Sequence, residues 1–472
     1  MLNRSSCLIR SGFFRLAPLS VAAAFIASPA SGQTVSDLVD VDFQIFADDG
    51  GSGDRFGYAV AIDEAPVLLN PMLLVGAPDD DDKAADAGAA YVMNADTAEQ
   101  LQKLLPNDGA AGDHFGHSVD VDGGLFYVAG APMHDANGAD SGAVYVYGFL
   151  ATQIAKVLPF DGAAGDWFGW SVAADNGVVA VGAPGNDDNG FDSGAAYLFD
   201  AATGGQLTKL LPSDGTPGDQ FGWSIAIDSG IVAVGAHGTT FDSTGSGSVY
   251  LFDAATGAQL AKLQPDDLGP SGTLLGDYFG YSVAISNNTV VVGALTDSAY
   301  APNGGSAYLF NATTGSQITK IVRPAATLGG FGYAVAIHND RVVIGAVTLG
   351  TSPGPGSAFV FDSVTGDYIK QLVPSPTSPV INTFGYCVSI YKGTATAGAW
   401  GGQDLGMVDT GLVMMFDLCP ADLNGDGFLD GGDITIFVAL FLAGDLKADL
   451  NGDSFLDGGD ITIFVALFLA GC

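Results

Sequence analysis

Residues 166–184 read DWFGWSVAADNGVVAVGAP, and variants of this stretch recur along most of the chain. Phe-Gly followed by a ring appears at Phe56-Gly57-Tyr58, Phe115-Gly116-His117, Phe168-Gly169-Trp170, Phe221-Gly222-Trp223, Phe279-Gly280-Tyr281, Phe331-Gly332-Tyr333 and Phe384-Gly385-Tyr386, at steps of 52 to 59 residues. After each comes a β-branched run ending in Gly-Ala, from Gly76-Ala77-Pro78 to Gly398-Ala399. A period of that length denotes a propeller or an array. Within the quoted unit, Ser171 to Ala174, Val178 to Val181, Ala195 to Phe199 and Leu207 to Leu211 read as four short strands joined by turns. Four antiparallel strands make one propeller blade, so residues 33–417 are expected to be all-β, a seven-bladed β-propeller. The last unit stops at Phe416 after its third strand, while Val41 to Phe46 reads as an orphan fourth strand. It is predicted to complete the seventh blade and so remove exposed sheet edges.

This pattern of Phe-Gly and Gly-Ala-Pro resembles the FG-GAP repeats of integrin α-subunit propellers and their bacterial relatives, over about residues 40–417. The resemblance implies a propeller that recognises a ligand, protein or carbohydrate. Between Phe-Gly and Gly-Ala-Pro, where the family places calcium loops, this chain has tight turns such as Asp175-Asn176-Gly177.

The repeated rings have a structural reading. Phe and the ring two positions later share one side of their strand because side chains alternate, and both are expected to pack between blades. The competing reading is an aromatic rim that stacks on sugars. Asp54, Asp113, Asp166, Asp219 and Asp277 precede Phe-Gly by two positions and are expected to cap turns. The residue between varies: Arg55, His114, Trp167, Gln220 and Tyr278. Fold-setting positions repeat and contact positions need not, so this ring is the candidate recognition surface.

Composition narrows the function class. Of 52 acids only Glu64 and Glu99 are Glu, and Asp favours turns and hard cations over helices. A net charge of −37 with 15 basic residues excludes nucleic acid and an anionic membrane surface as partners. Arg4, Arg10 and Arg15 precede an apolar run from Leu16 to Ala27 and then small residues, so residues 1–32 are expected to be a signal peptide. No segment reads as transmembrane, and the protein is expected to be exported, extracellular or at the cell surface. Loops after Gly-Ala-Pro are acidic, at Asp79 to Asp82 with Asp86, Asp135 with Asp140, and Asp187 and Asp188 with Asp192. Solvated turns and a weakly calcium-loaded rim both fit them. Catalytic signatures are absent: five His residues show no metal spacing, and Ser171 lacks the second Gly of a nucleophile elbow. With so many Asp a carboxylate pair for glycoside hydrolysis stays open.

Residues 422–444 and 449–471 are a direct duplication in which Gly427 becomes Ser454. Asp422, Asn424, Asp426, Asp430 and Asp433 occupy positions 1, 3, 5, 9 and 12 of an EF-hand calcium loop, with Phe428 offering its carbonyl at 7. Asp449, Asn451, Asp453, Asp457 and Asp460 with Phe455 repeat the set. Carboxylates so concentrated repel one another unless a divalent cation sits among them, so two calcium ions are expected. Each loop leads into an uncharged helix, Ile434 to Ala443 and Ile461 to Ala470.

Residues 418–472 thus resemble a type I dockerin, and the terminal Gly471-Cys472 resembles the GC-type modules that end exported bacterial proteins. The resemblance implies a cohesin-like or envelope anchoring partner, often in assemblies that handle polysaccharide. Where dockerins commonly carry Ser or Thr contacts this chain has Gly431-Gly432 and Gly458-Gly459. Cys419 and Cys472 flank the duplicated pair, whose ends come together, so a Cys419–Cys472 disulfide and attachment through Cys472 are both open. Cys387, in the place of a Ser found in four other blades, is expected to be a buried free thiol. The expected whole is a non-catalytic binding or adhesion protein docked by its tail, with a polysaccharide-degrading enzyme carried by the same tail as the alternative.

Overall fold

The computed structural model describes residues 38–39, 43–65, 70–123, 125–238, 246–267, 276–298, 304–324, 329–347, 356–374, 383–401, 409–418, 431–444, 448, 455–456 and 458–470. Blade three is the antiparallel sheet of Ser171–Asp175, Val178–Ala183, Ala195–Asp200 and Gln206–Leu210, neighbours in that order. Five further blades are likewise built from consecutive strands. The seventh takes Cys387–Tyr391, Thr394–Ala399 and Leu412–Asp417 from the end of the repeat region and Phe43–Ile45 from its beginning. Phe43 pairs with Met415 and Ile45 with Val413, so the orphan strand closes the ring, one residue in from each expected end or more. One strand was not foreseen. Leu38–Val39 pairs in parallel with the outermost strand of blade six, Leu38 opposite Gln371.

The hydrophobic core is divided among the seams between blades. Phe168 and Val172 of blade three pack with Val144 and Val146 of blade two, and the same holds around the ring. At the closing seam Phe56, Leu73 and Tyr91 of blade one meet Val413, Met415 and Ile45 of blade seven. Every Phe of Phe-Gly is at most 1% exposed and meets aromatic rings of its own blade edge to face, as Phe168 does Tyr197 at 5.6 Å and Phe199 at 5.6 Å. Such edge-on pairs add to the burial that drives seam formation.

Glycine is required twice per unit. Gly169 has φ of +92°, a conformation a side chain resists, and Gly182 has the carbonyl of Gly222 from the next blade where a Cβ would stand. The reversal at Gly169 also breaks the alternation expected along the strand. Phe168 therefore enters the seam while Trp170 does not, which corrects the expectation that both rings pack between blades.

In the tail the described residues show helices Gly431–Ala443 and Gly458–Ala470, of identical sequence. Phe437 and Phe464 stack face to face at 4.1 Å, and around them Ile434, Val438, Ile461 and Val465 border an apolar groove of about 300 Å³. Among the described residues no helix is long and apolar enough to cross a membrane. The signal peptide expected over 1–32 lies outside the described residues.

Candidate ligand-binding site

The second ring of each unit meets its neighbours around the propeller axis. Adjacent rings stand 5.1 Å apart for Tyr58 and His117, 4.6 Å for His117 and Trp170, and 4.7 Å for Trp170 and Trp223. The circle continues at 5.7 Å to Tyr281, 5.2 Å to Tyr333, 4.9 Å to Tyr386 and 5.1 Å back to Tyr58. This aromatic collar crowns an axial cavity of about 240 Å³. Below it, Ser118, Ser171, Ser224 and Ser282 each donate to the Phe-Gly carbonyl of the next blade at 2.8 to 2.9 Å. Cys387 makes the equivalent contact to Gly57 at 3.1 Å and is a free thiol, which burial pushes up to about 12.

The collar is uncharged. Burial pushes the hydroxyls of Tyr58, Tyr281, Tyr333 and Tyr386 above the usual phenol range. Those four pass side-chain hydrogen bonds from Tyr281 through Tyr333 and Tyr386 to Tyr58. The arc ends at His117, 3.3 Å from the Tyr58 hydroxyl, where burial lowers the imidazole to about 4 and keeps it neutral.

Arg55, His114, Trp167, Gln220 and Tyr278 form an outer tier. All five are partly exposed and have φ between 53° and 57°. Bulky residues seldom adopt that left-handed conformation, which costs on the order of 1 kcal/mol each and persists only where the surroundings impose it. The preceding Asp does the imposing: Asp54, Asp113, Asp166 and Asp219 accept from the backbone N–H three residues earlier, at 2.5, 2.7, 2.9 and 2.7 Å.

The two tiers touch. Trp167 lies 5.7 Å from Trp170, and Tyr278 lies 5.5 Å from His237, which is itself 4.3 Å from Trp223. Arg55 stands 5.1 Å over Trp400, which meets Tyr386 at 5.8 Å. Asp79 ties Arg55 (2.9 Å) to His114 (2.9 Å), and that hydrogen bond raises the His114 pKa. His237 and Trp400 escaped the sequence reading. The signal was present, for they stand where the first three blades have the Pro of Gly-Ala-Pro.

Also unforeseen are lysines that clasp the seams. Lys103 reaches Asp49 at 2.9 Å, Asp80 at 2.8 Å and Asp82 at 2.6 Å, and lies 5.0 Å from the face of Tyr91. Burial opposes its charge, but the hydrogen bonds it donates to the carboxylates outweigh it and hold the ammonium above its ordinary range. Lys156, Lys209, Lys262 and Lys320 repeat the arrangement on Asp108, Asp161, Asp214 and Asp267. Their signature is Gln-Leu/Ile-Xaa-Lys, as at 100–103 and 206–209.

At the other end of the axial strands, Asp63, Asp122, Asp175 and Asp228 each accept a backbone N–H of the next blade, from Gly123, Gly177, Ser229 and Asn287. Asp120 accepts from Ala174 at 2.7 Å, and burial pushes its carboxyl up to about 7. In the acidic loops Asp81, Asp135 and Asp187 cap Asp86, Asp140 and Asp192 at 2.7, 2.9 and 2.8 Å. Among the described residues no group of three or more His, Cys, Asp or Glu is placed to hold a metal ion.

Of the expected calcium ligands, Asp433 and Asp460 are fully buried in the first turns of the two helices, and Phe455 is 72% exposed. Asp422, Asn424, Asp426, Phe428, Asp430, Asp449, Asn451, Asp453 and Asp457, with Cys419 and Cys472, lie outside the described residues.

A family model described as FG-GAP repeat matches residues 42–93, 98–147, 151–199, 205–252, 259–310 and 325–361, more than half of the chain. No curated protein sequence matches it.

Proposed function

The chain belongs to the FG-GAP repeat family, and from that premise we propose that it is an exported binding or adhesion protein whose propeller recognises a protein or carbohydrate ligand. The carrying observation is the axial mouth, a closed collar of uncharged rings surrounded by bulky side chains held in strained backbone. Backbone of that kind is often found at ligand sites, and here it carries the most variable position of the repeat. The variable outer tier supplies selectivity and the collar supplies stacking area.

The tail docks the propeller to a surface or assembly. Two calcium ions held by the duplicated loops would supply folding free energy to the helix pair, because ligands that repel one another when empty converge around the ion. Its partner is a cohesin-like or envelope anchoring protein. Asp120 keeps an enzyme acting on polysaccharide as the second reading, since a carboxyl that titrates near neutrality suits an acid catalyst. Against it, every carboxylate named at that end of the axis is turned onto a backbone N–H.

The test compares the full chain with one ending at residue 418 on envelopes of the source cell. Retention should require the tail, and a chelator should abolish both retention and the tail's helical signal in circular dichroism while leaving the β signal. Retention of the shortened chain, or a helical signal indifferent to chelator, would refute the docking role.

A further inference from the structure

The collar has two unlike halves. Tyr281, Tyr333, Tyr386 and Tyr58 with His117 make a hydrogen-bonded arc of polar tips, and Trp170 with Trp223 completes the circle with indole surface. Among the described residues no charged side chain lines the cavity. An ion entering it would lose water without meeting a counter-charge, and a polyanion is repelled by the net charge of −37.

Unsatisfied donors stand beside both halves. His237 is 5% exposed with neither ring nitrogen hydrogen-bonded to another residue, and Nε1 of Trp400 is buried without a partner. A buried donor left unpaired costs about 1–3 kcal/mol, which a hydroxyl-bearing ligand would recover. His237 adjoins Trp223 and Tyr281, where the indole and hydroxyl arcs meet, and Trp400 adjoins Tyr386.

A neutral pyranose matches this division, with a C–H face for the indoles and a rim of hydroxyls for phenols and imidazole. We infer that the axial mouth is a saccharide subsite taking the uncharged terminal sugar of a glycan chain, its ring face on Trp170 and Trp223 and its hydroxyls toward Tyr333, Tyr386 and His237. The cavity of about 240 Å³ is sized for the end of a chain, and the outer tier meets the units that follow. This rests on reading the propeller as a binding module and names its ligand class.

All 4 tryptophans of the chain, Trp167, Trp170, Trp223 and Trp400, stand at this mouth, so selectively excited tryptophan fluorescence reports on it alone. The full chain is titrated with cellohexaose, laminarihexaose, mannohexaose and chitohexaose, and separately with hexagalacturonate and hexaarginine. At least one neutral hexasaccharide should give a saturable change. Trp170→Ala should weaken it about tenfold or more, and Tyr333→Phe, which keeps the ring and removes one hydroxyl, about fivefold. The inference fails if no neutral hexasaccharide acts up to about 10 mM, roughly the weakest affinity a built site would have. It fails equally if only hexaarginine or hexagalacturonate acts, or if Tyr333→Phe binds like the parent. Binding of the full chain to polypeptides shed by the source cell that is lost in Arg55→Ala and Tyr278→Ala, without any saccharide response, would keep the binding role and reject the sugar. Absence of both kinds of binding in the parent would reject the binding role itself.

Discussion

In blades one to five a lysine of the outermost strand reaches an aspartate of the preceding blade across the face of a tyrosine. In blades six and seven the sheet register places Gln371 and Gln44 where that lysine belongs, opposite Phe359 and Met414 in place of the tyrosine. The acid position reads Ala325 and Pro376 in sequence. Yet all seven seams bury the same phenylalanine and bring the same glycines together. Propeller geometry and seam electrostatics are therefore separable. Backbone approach and aromatic burial set the blade spacing, and the clasp adds a fixed internal cation where aspartates crowd. Seams without the acids dispense with the lysine. Blade six instead has Arg323 5.3 Å over Phe359, and carries Leu38–Val39 on its outer edge.

The hardest blow to this contrast is deletion of residues 34–47, which takes a strand from each unclasped blade. We expect melting to fall by roughly 10 °C or more, with aggregation through the opened edges. An unchanged melting temperature would show that the clasped seams alone hold the ring.

Next is the clasp itself. Lys103→Met leaves Asp80, which is 1% exposed, without its cation, and should cost about 3 kcal/mol in denaturant unfolding. Lys262→Met, whose lysine has one carboxylate partner and is more exposed, should cost under about 1 kcal/mol. Equal losses would mean that the lysines act by packing rather than by neutralising buried charge.

A subtler effect separates the two ends of the axis. The Asp120 carboxyl is pushed up to about 7, so the folded protein binds a proton that the unfolded chain has released. Stability from this group is thus lost as pH rises from about 4 towards 7. Asp120→Asn should raise the melting temperature at pH 8 relative to the parent, and by clearly less at pH 5. The paired comparison isolates Asp120 from His117 and His237, whose lowered pKa values act in the opposite direction below pH 6.5. An equal shift at both pH values would reject the buried titration.

The ring and its closure were legible because their causes are backbone causes. Gly182 and Gly169 allow no side chain, so they recur visibly, and Phe43–Ile45 reads as a strand wanting a sheet. The collar was half legible. Its residues were identified, but the positive φ at the intervening glycine sends Trp170 to the axis, and period-two reasoning cannot see that reversal. The clasps were opaque because each joins residues about fifty positions apart, as Lys103 joins Asp49, and one aspartate among so many carries no mark of its partner. Leu38–Val39 is too short to show any periodicity.

Joining Phe43–Ile45 to Leu412–Asp417 also orders events in time. The first strand of the ring to leave the ribosome has its partner among the last. Six blades can form from consecutive strands as they emerge, whereas the closing one waits for almost the whole repeat region. Contacts of such sequence separation are slow to find. Until then the nascent chain is an open arc with one seam of apolar surface uncovered at each end. Closure becomes the final and slowest folding step, and a chain that has lost its first strand is trapped in that unfinished form.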